Sequence, residues 1–588
     1  MKKIIILLLG ILLQPGFSMA QAVSASEGKE LVKTIEEEKP YIHYNSSLLF
    51  AGEYLYYKFY NLSSKTENLS DLSQVAYLEL IGEDGNYIFK HKILLSNGEG
   101  QGDFFIPTDV PSGKYKLIGY TNWMRNRGTF FAGNIAVINP YRGDQSAFHK
   151  APKNDSLSQK TSEKFSSTSG AFSAQTEKLI EIDLQKTNFG KRERVVLDLE
   201  EVPGNYSLSV RIKDTIAIPA KSTAVNFQDN INLRNKKNDS VYLPELRGNL
   251  LSGRIIPKAS EANLRLAGKK VAFSIPGENY IFKIATTDKQ GRFYVNLDEQ
   301  YANPDALMQI IGESSEHFDI KPDPAPKMEL PALNFEDFFI SPDLEDWIID
   351  RSVYNQIENA YYSVKPDTIK ALEPLEPFYT VEPEVYDLDA YTRFKTIKET
   401  FVEIIMFSWI SNRRDKGSQI MIRQPEGATN FNIPALLLVD GIMVQDHDLF
   451  INYPAHAVQS IKILRNNFFL GSHIFAGIID VETIRGDFWE NFNSEKVKTI
   501  ELDMPLPKRY YFKQSYKENL SSNERIPDFR TQLLWEPSIN LDSEKNSVEF
   551  YTSDVPGIYE IQLEGFTKEG IPVAVKKQFT VLPGEQKL

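Results

Sequence analysis

The sharpest change of hydrophobic pattern lies near the C-terminal end. The apolar run Leu436–Val439 stops at Asp440 and Gly441, and a second run, 442–444, begins at once. An Asp-Gly pair between two β-prone runs predicts a hairpin, because a type I′ turn needs φ > 0 at both central residues. Next come Val458, Ile461 and Leu464, then Gly471, then Ala476, Gly477 and an apolar strand over 478–484. Upstream, Phe394, Ile397, Phe401, Ile404 and Phe407 recur at helical spacing, which predicts a helix within 391–410 whose apolar face docks on a sheet. A strand is expected over 419–424.

The N-terminal half alternates with period two. Leu55, Tyr57 and Phe59 predict a half-buried strand, and further strands are expected over 76–81, 104–107 and 114–120. Asp84 with Gly85, and Pro111, Ser112 and Gly113, supply the turns. Such spacing predicts a β-sandwich over 30–141. Residues 142–178 are rich in Ser, Lys, Thr and Gln and read as a flexible linker. Strands at 191–199 and 206–212 suggest a second sandwich over 179–240. A third is expected over 241–320, with Asp288 accepting turn amides, Gly291 giving the permissive backbone and Phe293 returning to the core. The acidic, Pro-rich connector 321–384 carries one expected helix over 341–362, started by Ser341 and Pro342. Val548, Phe550, Tyr559, Ile561 and Leu563 alternate in a final sandwich over 488–588, with Pro556 and Gly557 at a turn. The expected fold class is mainly β, several immunoglobulin- or macroglobulin-like sandwiches in series plus one small α+β domain.

Composition narrows the function. A chain of 588 residues exceeds one core, and 28 Tyr with 36 Phe favours sheets. The net charge of −13 argues against nucleic acid, which needs clustered positive charge. Residues 1–20 read as a signal peptide: Lys2 and Lys3, an apolar stretch, then small residues before a cut after Ala20 or Ala22. With no Cys there is no disulfide, thiol nucleophile, thiolate metal site or lipid anchor on Cys. No later stretch reaches the roughly 20 apolar residues of a membrane-spanning helix. The expected location is the periplasm, with any outer-membrane association made through protein partners.

Over 385–487 the order of VDG hairpin, apolar strand, glycine and GIIDVETIR strand resembles the plug domain of TonB-dependent outer-membrane receptors. Over about 38–140 the order of AGE, glycine turns and PSGKY resembles the second macroglobulin-type domain of the α2-macroglobulin superfamily. That superfamily's thioester needs a Cys, which this chain lacks. The TDKQGRF turn at 287–293 resembles that of carboxypeptidase regulatory-like sandwiches, which often precede a plug. A receptor's barrel takes about 22 strands of some ten residues. The sequence after Arg485 runs only to Leu588, so it reads as a plug without a barrel.

Catalytic signatures are missing: no zinc-peptidase helix, no Walker loop, no serine elbow. The GEGQG run at 98–102 lacks dinucleotide spacing and reads as a glycine-rich hairpin. Asp446, His447 and Asp448 are the best metal candidate, yet three adjacent residues seldom supply four ligands, and a solvated loop explains them equally. Asp387 and Asp389 read as helix-start residues rather than an acid and base pair. No catalytic residue, metal or cofactor is therefore expected. Phe468, Phe469 and Leu470 read either as core residues or as an exposed partner anchor. The leading expectation is a non-enzymatic scaffold that docks on, or closes, an outer-membrane β-barrel or secretion translocon supplied by another chain. A free binding module for peptide or glycan would instead show a pocket lined by Tyr and Trp, and an enzyme of unrecognised type a convergent cluster of titratable groups.

Overall fold

The computed structural model describes residues 33–145, 180–216, 218–232, 241–258, 264–413, 417–429, 431–492, 496–516, 526–541 and 546–584. The expected signal peptide 1–20 and nearly all of the expected linker 142–178 lie outside them. The protein is mainly β, built as several sandwiches. It divides into two compact units, one comprising 250–324 and 372–502, the other 28–249, 325–371 and 503–588.

In the second unit, strands Glu38–Tyr44, Tyr54–Ser63 and Glu99–Phe105 form one layer of the N-terminal sandwich. The other layer runs Ile231–Asn232, Phe130–Ile138, Gly113–Thr121, Val75–Gly82, Tyr87–Leu94, with Leu48–Phe50 parallel to Phe130–Ile138. Asn97 and Gly98, at φ 52° and 77°, turn the chain from one layer to the other, and the rest of the GEGQG run lies in the strand Glu99–Phe105 rather than in a hairpin. The strand Tyr54–Ser63 departs from the expected half-buried pattern. Leu55, Tyr57 and Phe59 are buried as predicted, but so are Lys58 and Tyr60 from the opposite face. A second sandwich covers that face: Phe566 stacks edge-on against Tyr60, and the Tyr60 hydroxyl lies 2.9 Å from Ser207 Oγ.

This second sandwich corrects the expected domain series. The segments read as separate sandwiches at 179–240 and 488–588 interleave into one. Its larger sheet runs Asn188–Phe189, Pro572–Val581, Gly557–Thr567, Gly204–Ile212, Gln532–Asn540, and its smaller sheet Asn546–Tyr551, Arg194–Leu199, Ile182–Leu184. Each segment supplies strands to both sheets, and neither completes either sheet alone. Val195, Leu197, Tyr206 and Leu208 share one core with Phe550, Tyr559, Ile561 and Leu563. The buried Glu564 carboxylate accepts from Tyr41 Oη and, at 3.0 Å, from the Ala224 amide. Burial alone would raise its pKa, but the facing His43 and Lys221 outweigh that and lower it.

The connector helix forms as Glu345–Ala360, preceded by the 3-10 turn Pro342–Leu344. Ser341 has the extended backbone of a cap, but its hydroxyl bonds Asp343 rather than a helix amide. Arg351 anchors the helix: its guanidinium donates to Glu53 Oε1 at 2.8 Å and pairs with Asp214.

In the first unit, sheets Arg292–Leu297, Asn249–Pro257, Phe318–Pro322 and Ile281–Thr286, Lys270–Ile275, Asp305–Ile310, Val497–Glu501 make a sandwich. Its last strand comes from beyond the α+β region, another departure from a C-terminal sandwich starting at 488. The 288–292 turn forms as its residues predict. Asp288 Oδ1 accepts from the Gln290 and Arg292 amides at 2.8 and 2.7 Å, Gly291 sits at φ 77°, and Phe293 is buried.

The α+β region is a five-stranded sheet, Glu384–Asp387, Val458–Leu470, His473–Thr483, Leu436–Val439, Ile442–Met443. Its continuous apolar run has a plain cause: both faces are covered. Leu436, Leu438 and Ile478 pack with Ala272 and Phe282 of the sandwich, while Leu437, Val439, Ile479 and Val481 pack with Ile397 and Phe401. The expected 391–410 helix is only Ile397–Glu403, closed at its start by a Thr396/Glu399 capping box. Strand Ser408–Arg413 then pairs with Gly417–Ile422, where the β-prone Trp409 and Ile410 override the helical spacing.

Candidate functional site

The α+β region positions the candidate residues. Leu438 pairs with Met443 and Val439 with Ile442 around Asp440 and Gly441, whose φ values are 49° and 82°. Both lie in the left-handed region that the turn requires. Asp440 also fixes the following chain: its carboxylate accepts from the Thr483 amide at 2.8 Å, Thr483 Oγ1 at 2.6 Å and the Phe488 amide at 3.1 Å. Gly441 lets Tyr280 lie against the turn, since a Cβ there would sit 2.2 Å from Tyr280 Cβ. Tyr280 and Tyr379 then donate to Asp480 Oδ2 at 2.9 and 2.8 Å. Burial raises the Asp480 carboxyl pKa, against the pull of the two phenols. The arrangement is a lock between sandwich and sheet, and Asp480 was not singled out from sequence.

The metal candidates are occupied by structure. Asp446 caps the short helix His447–Ile451, accepting from the Asp448 amide at 3.1 Å, and Asp448 accepts from the Ser418 amide at 3.1 Å. His447 is buried, and its Nδ1 accepts from the Ile420 amide at 2.9 Å. Among the described residues no three His, Asp or Glu side chains gather as a metal-holding group. Asp387 and Asp389 serve a helix start, Asp387 accepting from the Asp389 amide at 3.0 Å.

Burial lowers the His447 pKa to about 4, against a small opposing pull from Asp448. The unfolded imidazole titrates near 6.5, so below that pH the unfolded chain takes up a proton that the folded chain refuses. Stability from this group is full above pH 6.5 and is lost as the pH falls towards 4. The loss between pH 7 and 4.5 is expected to be roughly 2 to 3 kcal/mol. Urea unfolding of the wild type and His447→Gln at both pH values checks this, with a shallower pH dependence expected in the variant.

The three residues weighed as core or anchor divide. Phe468 and Leu470 are half-buried against the cluster around Phe282 and Phe475, whereas Phe469 projects outward, 66% exposed. It stands in the antiparallel pair Val458–Leu470 and His473–Thr483, opposite Ile474. The same region also exposes Val385, Val402, Met406, Trp409 and Phe431. Phe407, at φ 58°, lies under the Arg465 guanidinium, whose carbon is 3.8 Å from the ring centroid, and Arg465 Nη1 is 3.6 Å from Glu384. The Met406 amide donates to Tyr386 Oη at 3.2 Å, which draws Met406 beside the edge strand Glu384–Asp387. Sequence reasoning assigned Phe407 to a docked helix and so missed this apolar surface. The signal was the alternation of Met406, Ser408 and Ile410 in a β-prone run.

Among the described residues no helix is long and apolar enough to cross a membrane. No protein-family description matches the chain, and no curated protein matches it. Its fold is weakly similar to bacterial α2-macroglobulins. The Salmonella protein reacted with methylamine is 8% identical at a TM-score of 0.23, over 93% of this chain and 39% of that one. The native Escherichia coli protein is 9% identical at 0.23, over 94% and 40%. The chain thus spans about two fifths of their length, and a likeness of this degree assigns no function.

Proposed function

We propose that this chain is a non-enzymatic periplasmic scaffold whose α+β region docks on a β-barrel of the outer membrane supplied by another chain. The observation that carries the reading is Phe469, which projects outward from its hairpin while its neighbours Phe468 and Leu470 turn inward. Aromatic side chains supply much of the binding energy at interfaces. Resemblance of 385–487 to receptor plugs supplies the partner class, and that of about 38–140 to macroglobulin-type domains suggests sandwiches acting as spacers. The titratable residues singled out from sequence hold turns and caps, which supports binding over catalysis.

Phe469→Ser tests the reading. The side chain is exposed, so the variant keeps its circular dichroism and melting temperature. Loss of one aromatic anchor costs about 2 kcal/mol, some thirtyfold in affinity. The expected result is a folded protein that leaves the outer-membrane fraction, and undiminished sedimentation with that fraction counts against the anchor.

A further inference from the structure

The second unit carries a cavity of about 140 Å³ that the docking role does not use. One wall is a ladder of near-parallel rings. Tyr362 stacks on Tyr54 at 6.5 Å and 18°, Tyr54 on Tyr56 at 5.6 Å and 14°, and Tyr56 on Trp535 at 5.9 Å and 19°. Each comes from a strand or turn fixed elsewhere: Tyr54 and Tyr56 from Tyr54–Ser63, Trp535 from Gln532–Asn540, Tyr362 from the turn after the connector helix. The lining also includes polar groups, Asn355 and Asn359 one turn apart on that helix, Glu358 between them in sequence, and Asp367.

The charges of this cavity are already matched. Arg211 Nη2 donates to Glu53 at 2.8 Å, Lys365 Nζ to Glu358 at 2.8 Å, and Arg530 Nη2 to Asp528 at 2.7 Å. No cation is left over to recruit an anion, and a bound cation would have to displace an internal one. Polar capacity remains in the amides and carboxylates of the lining, Asn355, Asn359 and Asp367. Asp367 uses one oxygen to accept from the Phe512 amide at 2.8 Å.

From the row of aromatic rings, the planar amides and carboxylates and the balanced charge of its lining, we infer that this cavity binds a neutral oligosaccharide. Sugar rings present C–H faces to aromatic rings and paired hydroxyls to Asn, Asp and Glu, and the ligand carries no charge to be neutralised. A dry cavity of about 150 Å³ admits one six-membered ring. The site therefore takes one sugar residue, with the rest of the chain lying along the exposed Tyr362 end.

The full chain is tested on an array of α- and β-linked hexamers of glucose, mannose and N-acetylglucosamine, with sialylated and sulfated glycans and a proline-rich peptide alongside. At least one neutral hexamer is expected to bind. Tyr362→Ala, a change at an exposed ring that leaves melting unchanged, is expected to weaken it at least tenfold. Phe469→Ser is expected to leave it intact, which separates this site from the docking surface. The inference is overturned by binding to none of the neutral hexamers, by preference for the acidic glycans or the peptide, or by neutral binding that Tyr362→Ala does not change.

Discussion

Gly441→Val is expected to unfold the 250–324 and 372–502 unit at temperatures where the wild type is intact. Two independent costs add. A β-branched residue at φ 82° is strained by about 1 to 2 kcal/mol or more, and its Cβ would collide with Tyr280, the ring that closes on Asp480. Overpacking of this kind costs roughly 1 to 3 kcal/mol. Together they come to about 2 to 5 kcal/mol, a large share of the roughly 5 to 15 kcal/mol that holds a domain folded. Gly486→Ala is the control: φ is 63°, but nothing lies within 4 Å of its new Cβ, so only the smaller backbone cost is expected. Thermal unfolding with limited proteolysis measures both. Equal melting temperatures for Gly441→Val and Gly486→Ala would show that the Tyr280 contact contributes nothing.

Arg351→Ala is expected to destabilise the other unit by about 3 to 5 kcal/mol, the usual cost of leaving a buried charge without its partner. Two carboxylates lose by it. Asp214 loses its guanidinium, and Glu53 keeps Arg211 together with hydrogen bonds from the Phe50 amide and Asn355. Burial works to raise the Glu53 pKa, but Arg211 and Arg351 overcome it and hold it at about 2. Stability from Glu53 is thus complete above its unfolded pKa near 4.5 and is lost as the pH falls towards 2. In Arg351→Ala the folded pKa of Glu53 moves back towards the unfolded value, so the acid limb should flatten. Denaturant unfolding at pH 7 and across the acid range tests both parts, and a loss under 1 kcal/mol at pH 7 would mean that the helix Glu345–Ala360 docks without this ion pair.

The features legible in the sequence are those with a local cause. Asp440-Gly441 and Asp288 to Gly291 are turns whose residue types impose the backbone, so hairpin and turn could be placed from a few residues. The continuous run Leu436–Val439 announced a strand, though not that both faces are covered. The composite sandwich was not legible, because Arg194–Leu199 pairs with Asn546–Tyr551 and each partner carries only its own alternation. Helical spacing from Phe394 to Phe407 misled for a related reason. Pairing of Ser408–Arg413 with Gly417–Ile422 outweighs a local preference that ends at Glu403. Phe468 and Phe469 read alike in sequence, and only the pleat of their strand decides that one turns inward and the other out. The aromatic ladder is less visible still, since Tyr54, Tyr362 and Trp535 meet from three distant segments.

The absence of Cys permits one direct measurement on the docking claim. Ser472→Cys creates a unique exposed thiol on the α+β region with Phe469 left in place, and Lys65→Cys a unique exposed thiol on the other unit. Each variant is treated in intact cells with a short thiol-to-amine crosslinker, and the adducts are identified by mass spectrometry. The thiol at 472, and not that at 65, is expected to join the chain to an outer-membrane β-barrel protein. Recovery of the Ser472→Cys variant from the periplasm with no barrel adduct, or the same adducts from both positions, would contradict the docking claim.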